Sequence, residues 1–193
     1  TGTLPTELGD LSTMIYLVVN NNLLVGTLPT ELGKVATLRI FQVSYNSFTG
    51  IIPRDYVSWT NLQIFAGDDN HLTGTLPTEL GGLNALAFLS IRNNSLTGAL
   101  PTELGDLSSL QGLFLSYNSL YGTVPTEFRR MFSIHSLHLS NNAFTGTLPD
   151  VGFIFAFQFL EYDASTNGFR GTLPEWLGKM TSLYYLGLSE NSL

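Results

Sequence analysis

Three groups of residues in this 193-residue chain have the types that chemistry uses. His138, Glu161 and Asp163, with Ser140 and Ser165 beside them, offer the parts of a serine–histidine–aspartate relay, in which an imidazole takes a hydroxyl proton and a carboxylate orients the ring. Asp68, Asp69 and His71 bring two carboxylates and an imidazole into one short stretch, donors suited to a divalent cation, although their spacing matches no cation loop. Glu7, Glu31, Asp55, Glu79, Glu103 and Glu127 each follow a proline by two residues. Cysteine is absent, which removes thiolate nucleophiles, thiolate metal sites and disulfides together.

Whether any of these groups can act depends on the elements that hold them, and the prolines reveal those elements. Pro5, Pro29, Pro53, Pro77, Pro101, Pro125, Pro149 and Pro174 are all the prolines of the chain, recurring every 24 residues and once after 25. Asn22, Asn46, Asn70, Asn94, Asn118, Asn142, Asn167 and Asn191 keep the same phase, and a glycine follows each of the first seven by four residues. Between these markers the apolar residues fall as in Leu110, Leu113, Leu115, Asn118 and Leu120. The alternation Leu113, Leu115 predicts a short strand with leucines inward, one per repeat, building a parallel sheet. The asparagines are expected to form an internal ladder, since a side-chain amide donates and accepts at once and can satisfy buried turn backbone. The stretch before each proline suits a second extended segment, and Pro-Thr-Glu-Leu-Gly suits a single helical turn on the outer side. There the positive end of the turn offsets the ladder of carboxylates.

Composition narrows the partners. Net charge is −7, from 15 acidic and 8 basic residues, and the only adjacent basic pair is Arg129-Arg130, so no stripe can neutralise a nucleic-acid backbone. The longest apolar run, Val151 to Leu160, is too short to span a bilayer, and no charged-then-apolar leader opens the chain. Only 12% of residues are charged, which predicts a surface that hydrogen-bonds rather than ion-pairs. One acceptor sequon, Asn93-Asn94-Ser95, makes Asn93 a glycosylation candidate if the chain follows a secretory route.

The pattern L-x-x-L-x-x-L-x-L-x-x-N-x-L-x-G-x-I-P-x-x-L-G, met in essentially every repeat, resembles the plant-specific class of leucine-rich repeat. Similar Thr-Glu-Leu-Gly arrays occur in algae such as diatoms. The resemblance covers residues 1–193 as one solenoid of eight repeats, the 25-residue one lying near 150–173. It implies an α/β repeat fold: a right-handed solenoid with a parallel concave β-sheet, a short second extended layer and single helical or 3-10 turns on the convex side. It further implies a non-catalytic, extracellular or cell-surface recognition module, without cofactor, for a protein, peptide or glycan ligand. The cysteine-flanked caps usual in such arrays are missing from this segment, and its last residues are in phase with its first. Two expectations follow: an excised piece of a longer protein, or units that stack head to tail into a structural filament.

Fixed offsets from each asparagine locate the concave face. Tyr16, Val18, Ile40, Gln42, Ile64, Phe88 and Phe114 lie in two columns across the first five repeats, and His138 and Asp163 continue them into polar territory. This apolar column is the expected partner surface. His138 and Asp163 share a column on adjacent strands, about 4.8 Å apart, so their side chains are expected to meet. An open sheet excludes no water and offers no oxyanion donors, so the expectation is a surface ion pair rather than a relay. Threonines flank the glycine column, among them Thr27, Thr75, Thr123 and Thr147 after it and Thr49, Thr73, Thr97 and Thr145 before it. They form rows broken by Ile51, Ala99, Tyr121 and Arg170, which raise ice binding as an alternative. In the irregular repeat, Phe153, Phe155 and Phe157 alternate along one strand-like run and are expected to form an association surface.

Overall fold

A computed structural model describes residues 2–149 and 160–193. Phe153, Phe155 and Phe157 lie outside the described residues. The chain winds as a right-handed solenoid whose rungs are numbered here by their asparagines, Asn22 on the first and Asn191 on the eighth. Each rung gives a three-residue strand to an inner, wholly parallel sheet: Tyr16–Val18, Ile40–Gln42, Ile64–Ala66, Phe88–Ser90, Gly112–Phe114, Ser136–His138, Glu161–Asp163 and Tyr185–Gly187, in chain order. A second parallel sheet of seven strands follows the turn, from Val25–Thr27 to Gly168–Phe169. No α-helix occurs among the described residues. The outer side is crossed by five-residue 3-10 turns, such as Thr30–Lys34 and Thr102–Asp106.

Local chemistry accounts for these choices. Pro5, Pro29, Pro53, Pro77, Pro101, Pro125 and Pro174 each stand immediately before a turn in extended geometry, with φ near −65° at Pro5 and Pro53, and the first turn then carries its acidic residue. Several of the turns are pressed closely against the next rung at a glycine. A Cβ added at Gly105 would come within 2.5 Å of the Glu127 carbonyl oxygen, and one at Gly33 as near to that of Asp55. Opposite the turns, Gly50 has φ +77°, where an L side chain is strained, and its free face receives the Thr27 methyl.

The core is one continuous apolar column. Leu17, Phe41, Phe65, Leu89, Leu113, Leu137 and Tyr162 point inward from the inner sheet, and Leu96, Leu120, Phe144 and Phe169 meet them from the second sheet. The third rung replaces turn leucines with Tyr56 and Trp59, stacked 3.8 Å apart between centroids and packed on Phe41 and Phe65. Both polar ends are satisfied across the rung: the Tyr56 hydroxyl donates to the Pro29 carbonyl and the Trp59 indole N–H to that of Leu32. Burial pushes the Tyr56 phenol well above its ordinary range, so it stays a neutral donor.

Candidate functional site

The eight asparagines stand in one column between the sheets. Asn118 is typical: its Nδ2 donates to the carbonyls of Ile91 on the rung before and Leu115 on its own, and its Oδ1 accepts from the Leu96 N–H. Asn46, Asn70, Asn94, Asn142, Asn167 and Asn191 each bond to the preceding rung in the same way. Asn22, on the first rung, reaches only its own turn, donating to Val19 and Asn20. These side-chain bonds between rungs join residues 22 to 28 apart in sequence.

The inner face divides into an apolar half and a polar half. Tyr16 and Val18 are exposed, Ile40, Gln42 and Ile64 are half-buried, and Phe88 is exposed, in a register that places Tyr16, Ile40, Ile64 and Phe88 side by side. Gly112 ends that row without a side chain, and two aromatic rings lean into the vacancy. A Cβ there would lie 2.5 Å from Phe114 and 3.0 Å from Phe88. Phe114 carries the Arg92 guanidinium over its face at 4.2 Å and takes the His138 ring edge-on at 5.0 Å. The face thus runs from aliphatic and aromatic groups on rungs one to five into His138, Glu161 and Asp163 on rungs six and seven, with Tyr185 on the eighth.

His138 and Asp163 are paired in backbone register, yet their side chains do not bond to each other. The His138 Nε2 lies 2.8 Å from Glu161 Oε2, diagonally across the sheet. Asp163 instead turns to its own chain and accepts from the Ser165 N–H and hydroxyl, a local carboxylate turn that outcompetes the cross-strand partner. Glu161 also accepts from the Tyr184 hydroxyl. That bond, and after it the one to His138, hold the Glu161 carboxyl below the usual range against an opposing effect of burial. Ser140 is buried and donates to Ser116, so no hydroxyl is presented to the imidazole. The arrangement is a partly exposed imidazole–carboxylate contact flanked by aromatic rings. Asp68 is likewise engaged, accepting from the Ser90 hydroxyl and the Arg92 N–H, while His71 opens a strand of the second sheet.

One feature of the turns was invisible in the composition. The residue before each asparagine has a left-handed backbone: Asn21, Tyr45, Asp69, Asn93, Tyr117, Asn141, Thr166 and Glu190, with φ between +49° and +58°. Asn and Asp tolerate this region best, so Thr166, Glu190, Tyr45 and Tyr117 are the unexpected members, and the two tyrosines are the bulkiest. Between them lies an open hollow of about 390 Å³, lined also by Asp68, Asp69, Arg92 and Asn93. Arg92 and Tyr117 separate it from a second hollow of about 260 Å³ that reaches His138, Asp163 and Tyr185. Asn93 is exposed, and its amide donates to Asp69 at 2.5 Å. On the second sheet Thr27, Thr49, Thr73, Thr97 and Thr145 are exposed, as are Thr75, Thr123 and Thr147 one residue past its strands. Among them, Thr49, Thr97 and Thr145 donate to the glycine carbonyl of the preceding rung.

This geometry sets the frame for comparison with known proteins. Residues 85–144 match the family model for the leucine rich repeat. A sequence search of curated proteins found no match. Among solved structures, the plant peptide hormone receptor RGFR1 in complex with RGF2 superposes with a TM-score of 0.95 at 34% identity, over 98% of this chain and 30% of that one. The Arabidopsis receptor kinase HAESA, solved with the peptide hormone IDA and the co-receptor SERK1, superposes at 0.94 and 32% identity, over 98% and 32%. A plant ice-binding protein matches at 0.78 and 24% identity, over 99% and 69%, a likeness of fold alone. The chain spans about a third of the length of the receptors it matches. With one inward strand and one asparagine per rung, and outer 3-10 turns among the described residues, the chain is a leucine-rich-repeat solenoid similar to those of plant receptor ectodomains.

Proposed function

We propose that this chain is a non-catalytic, extracellular or cell-surface recognition module that takes an extended peptide or protein segment across its inner sheet. The observation that carries the reading is the row formed by Tyr16, Ile40, Ile64 and Phe88, continued by Phe114 over Gly112. It is an accessible apolar band on five adjacent strands, where a solvated sheet face would ordinarily be polar. Five strands at about 4.8 Å each give a band of roughly 19 Å, the span of a short extended peptide. The charged rungs beyond it supply Glu161, Asp163 and His138 to set polarity and register. Likeness to receptors solved with peptide hormones supports the class of ligand.

The test is selection from a displayed library of linear peptides. The wild-type chain should enrich sequences with alternating apolar residues, and the double variant Phe88→Ser, Phe114→Ser should enrich none of them. Equal enrichment by the double variant would remove the inner face from consideration. A second reading, ice binding, draws on the exposed threonine pairs Thr73 with Thr75 and Thr145 with Thr147, on and just past the strands of the second sheet. Ice recrystallisation inhibition that disappears in Thr75→Tyr, Thr123→Tyr would favour it, and absence of inhibition by wild type would end it.

A further inference from the structure

The hollow beside the turns is built unlike the strand face next to it. Its ends are two exposed tyrosines, and its floor places acceptors and donors together, Asp68 and Asp69 against Arg92 and Asn93. Stability does not explain the tyrosines. Their backbone is left-handed, a geometry that asparagine or aspartate supplies at 21, 69, 93 and 141, with threonine at 166 and glutamate at 190, and both tyrosines stay more than half exposed. Nor is Arg92 spent on a counter-ion. It belongs to no ion pair among the described residues, its Nε is buried without a hydrogen-bond partner, and the guanidinium rests on Phe114.

We propose that this hollow is a carbohydrate subsite, which takes a short neutral oligosaccharide with pyranose faces on Tyr45 and Tyr117 and hydroxyls on Asp69, Asn93 and Arg92. Tyr45 and Tyr117 stand three rungs apart, about 14 Å, a span that a few sugar residues cover. Vicinal hydroxyls donate and accept at once, which matches carboxylate oxygens set beside amide and guanidinium N–H groups. Charges of both signs in one hollow disfavour a strongly anionic or cationic ligand, and the lack of apolar lining other than the rings disfavours a hydrophobic side chain. The sugar has two possible sources: a separate oligosaccharide, or a glycan carried by Asn93, whose sequon Asn93-Asn94-Ser95 lies at the rim. This subsite uses the turn column rather than the strand columns of the peptide reading, so each can fail without the other.

The experiment titrates bacterially produced chain, free of glycan, with neutral tetrasaccharides of glucose, mannose, xylose and galactose, followed by calorimetry and tyrosine ring resonances. At least one should bind, and Tyr45→Asn with Tyr117→Asn should weaken it about tenfold or more, while Phe88→Ser leaves it unchanged. Because asparagine suits the turn backbone, unchanged or raised thermal stability of the double variant separates loss of binding from loss of fold. A second arm compares chain secreted from a eukaryotic host with its Ser95→Ala variant, which removes the sequon and leaves the hollow intact. A glycan on Asn93 that is the occupant blocks the tetrasaccharide in the first form and not in the second. Undiminished binding by both forms assigns the hollow to a separate oligosaccharide. No binding of any tetrasaccharide to the unmodified chain, equal binding by the tyrosine double variant, or preference for a charged uronic-acid oligomer would overturn the proposal.

Discussion

Replacing Asn118 with alanine should destabilise the middle of the array far more than the same change at Asn22. In the folded chain Asn118 Oδ1 is the partner of the Leu96 N–H, on a residue with no exposed surface, and its amide serves the Ile91 and Leu115 carbonyls across two rungs. Alanine orphans one buried donor and two inward carbonyls. An unsatisfied buried group costs about 1–3 kcal/mol, and carbonyls near the turn retain some access to water, so a net loss of about 2–3 kcal/mol is expected. For a chain of this length that corresponds to a fall of roughly 5–10 °C in Tm. Asn22 is exposed and serves only Val19 and Asn20 of its own turn, so its replacement should cost about 0.5 kcal/mol or less. Thermal unfolding by circular dichroism gives the totals. Amide hydrogen exchange gives the mechanism, because in Asn118→Ala the Leu96 N–H should exchange faster while amides two rungs away keep their protection. Equal losses at the two positions, or unchanged protection of Leu96, would refute the idea that the ladder works by satisfying the neighbouring rung.

Four further outcomes are expected. Tyr117→Asn should raise stability by about 0.5–1 kcal/mol, read as a shift in denaturant midpoint, because the left-handed backbone favours the smaller polar residue. Gly105→Ala should destabilise by about 1–3 kcal/mol, since its Cβ would fall 2.5 Å from a backbone oxygen, whereas Gly178→Ala, with nothing within 4 Å, should be tolerated in the same melt. A carboxyl depressed in the folded state contributes stability above its unfolded pKa and loses it as pH falls through the folded value. Rungs seven and eight should therefore loosen on acidification through the Glu161 titration, and Tyr184→Phe should move that titration up toward the ordinary glutamate range by carboxyl NMR. Gly112→Val should displace Phe114 and Phe88 and abolish peptide enrichment without removing either aromatic side chain.

Much of the fold was readable because period and side-chain direction are coupled. Leu113 and Leu115 alternate about one outward residue, and the repeated proline and asparagine fix where each strand must begin and end, so the sheet and the 24-residue phase follow from spacing alone. The outer turn was readable as a single helical or 3-10 turn. How closely Gly33 and Gly105 are packed against the next rung is something spacing does not express. Side-chain pairing on the inner face was not readable. Register placed His138 opposite Asp163, but Ser165 captured the aspartate and the diagonal glutamate took the imidazole. Arg92, Tyr45 and Tyr117 went unremarked because no apolar period marks them. Their interest comes from a backbone angle, and the one signal in sequence was tyrosine at a position that Asn or Asp fills on four rungs and Thr166 and Glu190 on two.

Hydrogen bonds that reach no farther than the adjoining rung carry a consequence for heredity. A rung meets the same asparagine and backbone partners above and below at most places in the array, so an unequal crossover that removes residues 87–110 would join Leu86 to Gln111 with every asparagine still in phase. Copy number can then drift while each surviving protein still folds, and selection is left free to act on which tyrosine, arginine or phenylalanine ends up next to which. A gene of this kind explores new binding surfaces by shuffling whole rungs, before a single codon has to change.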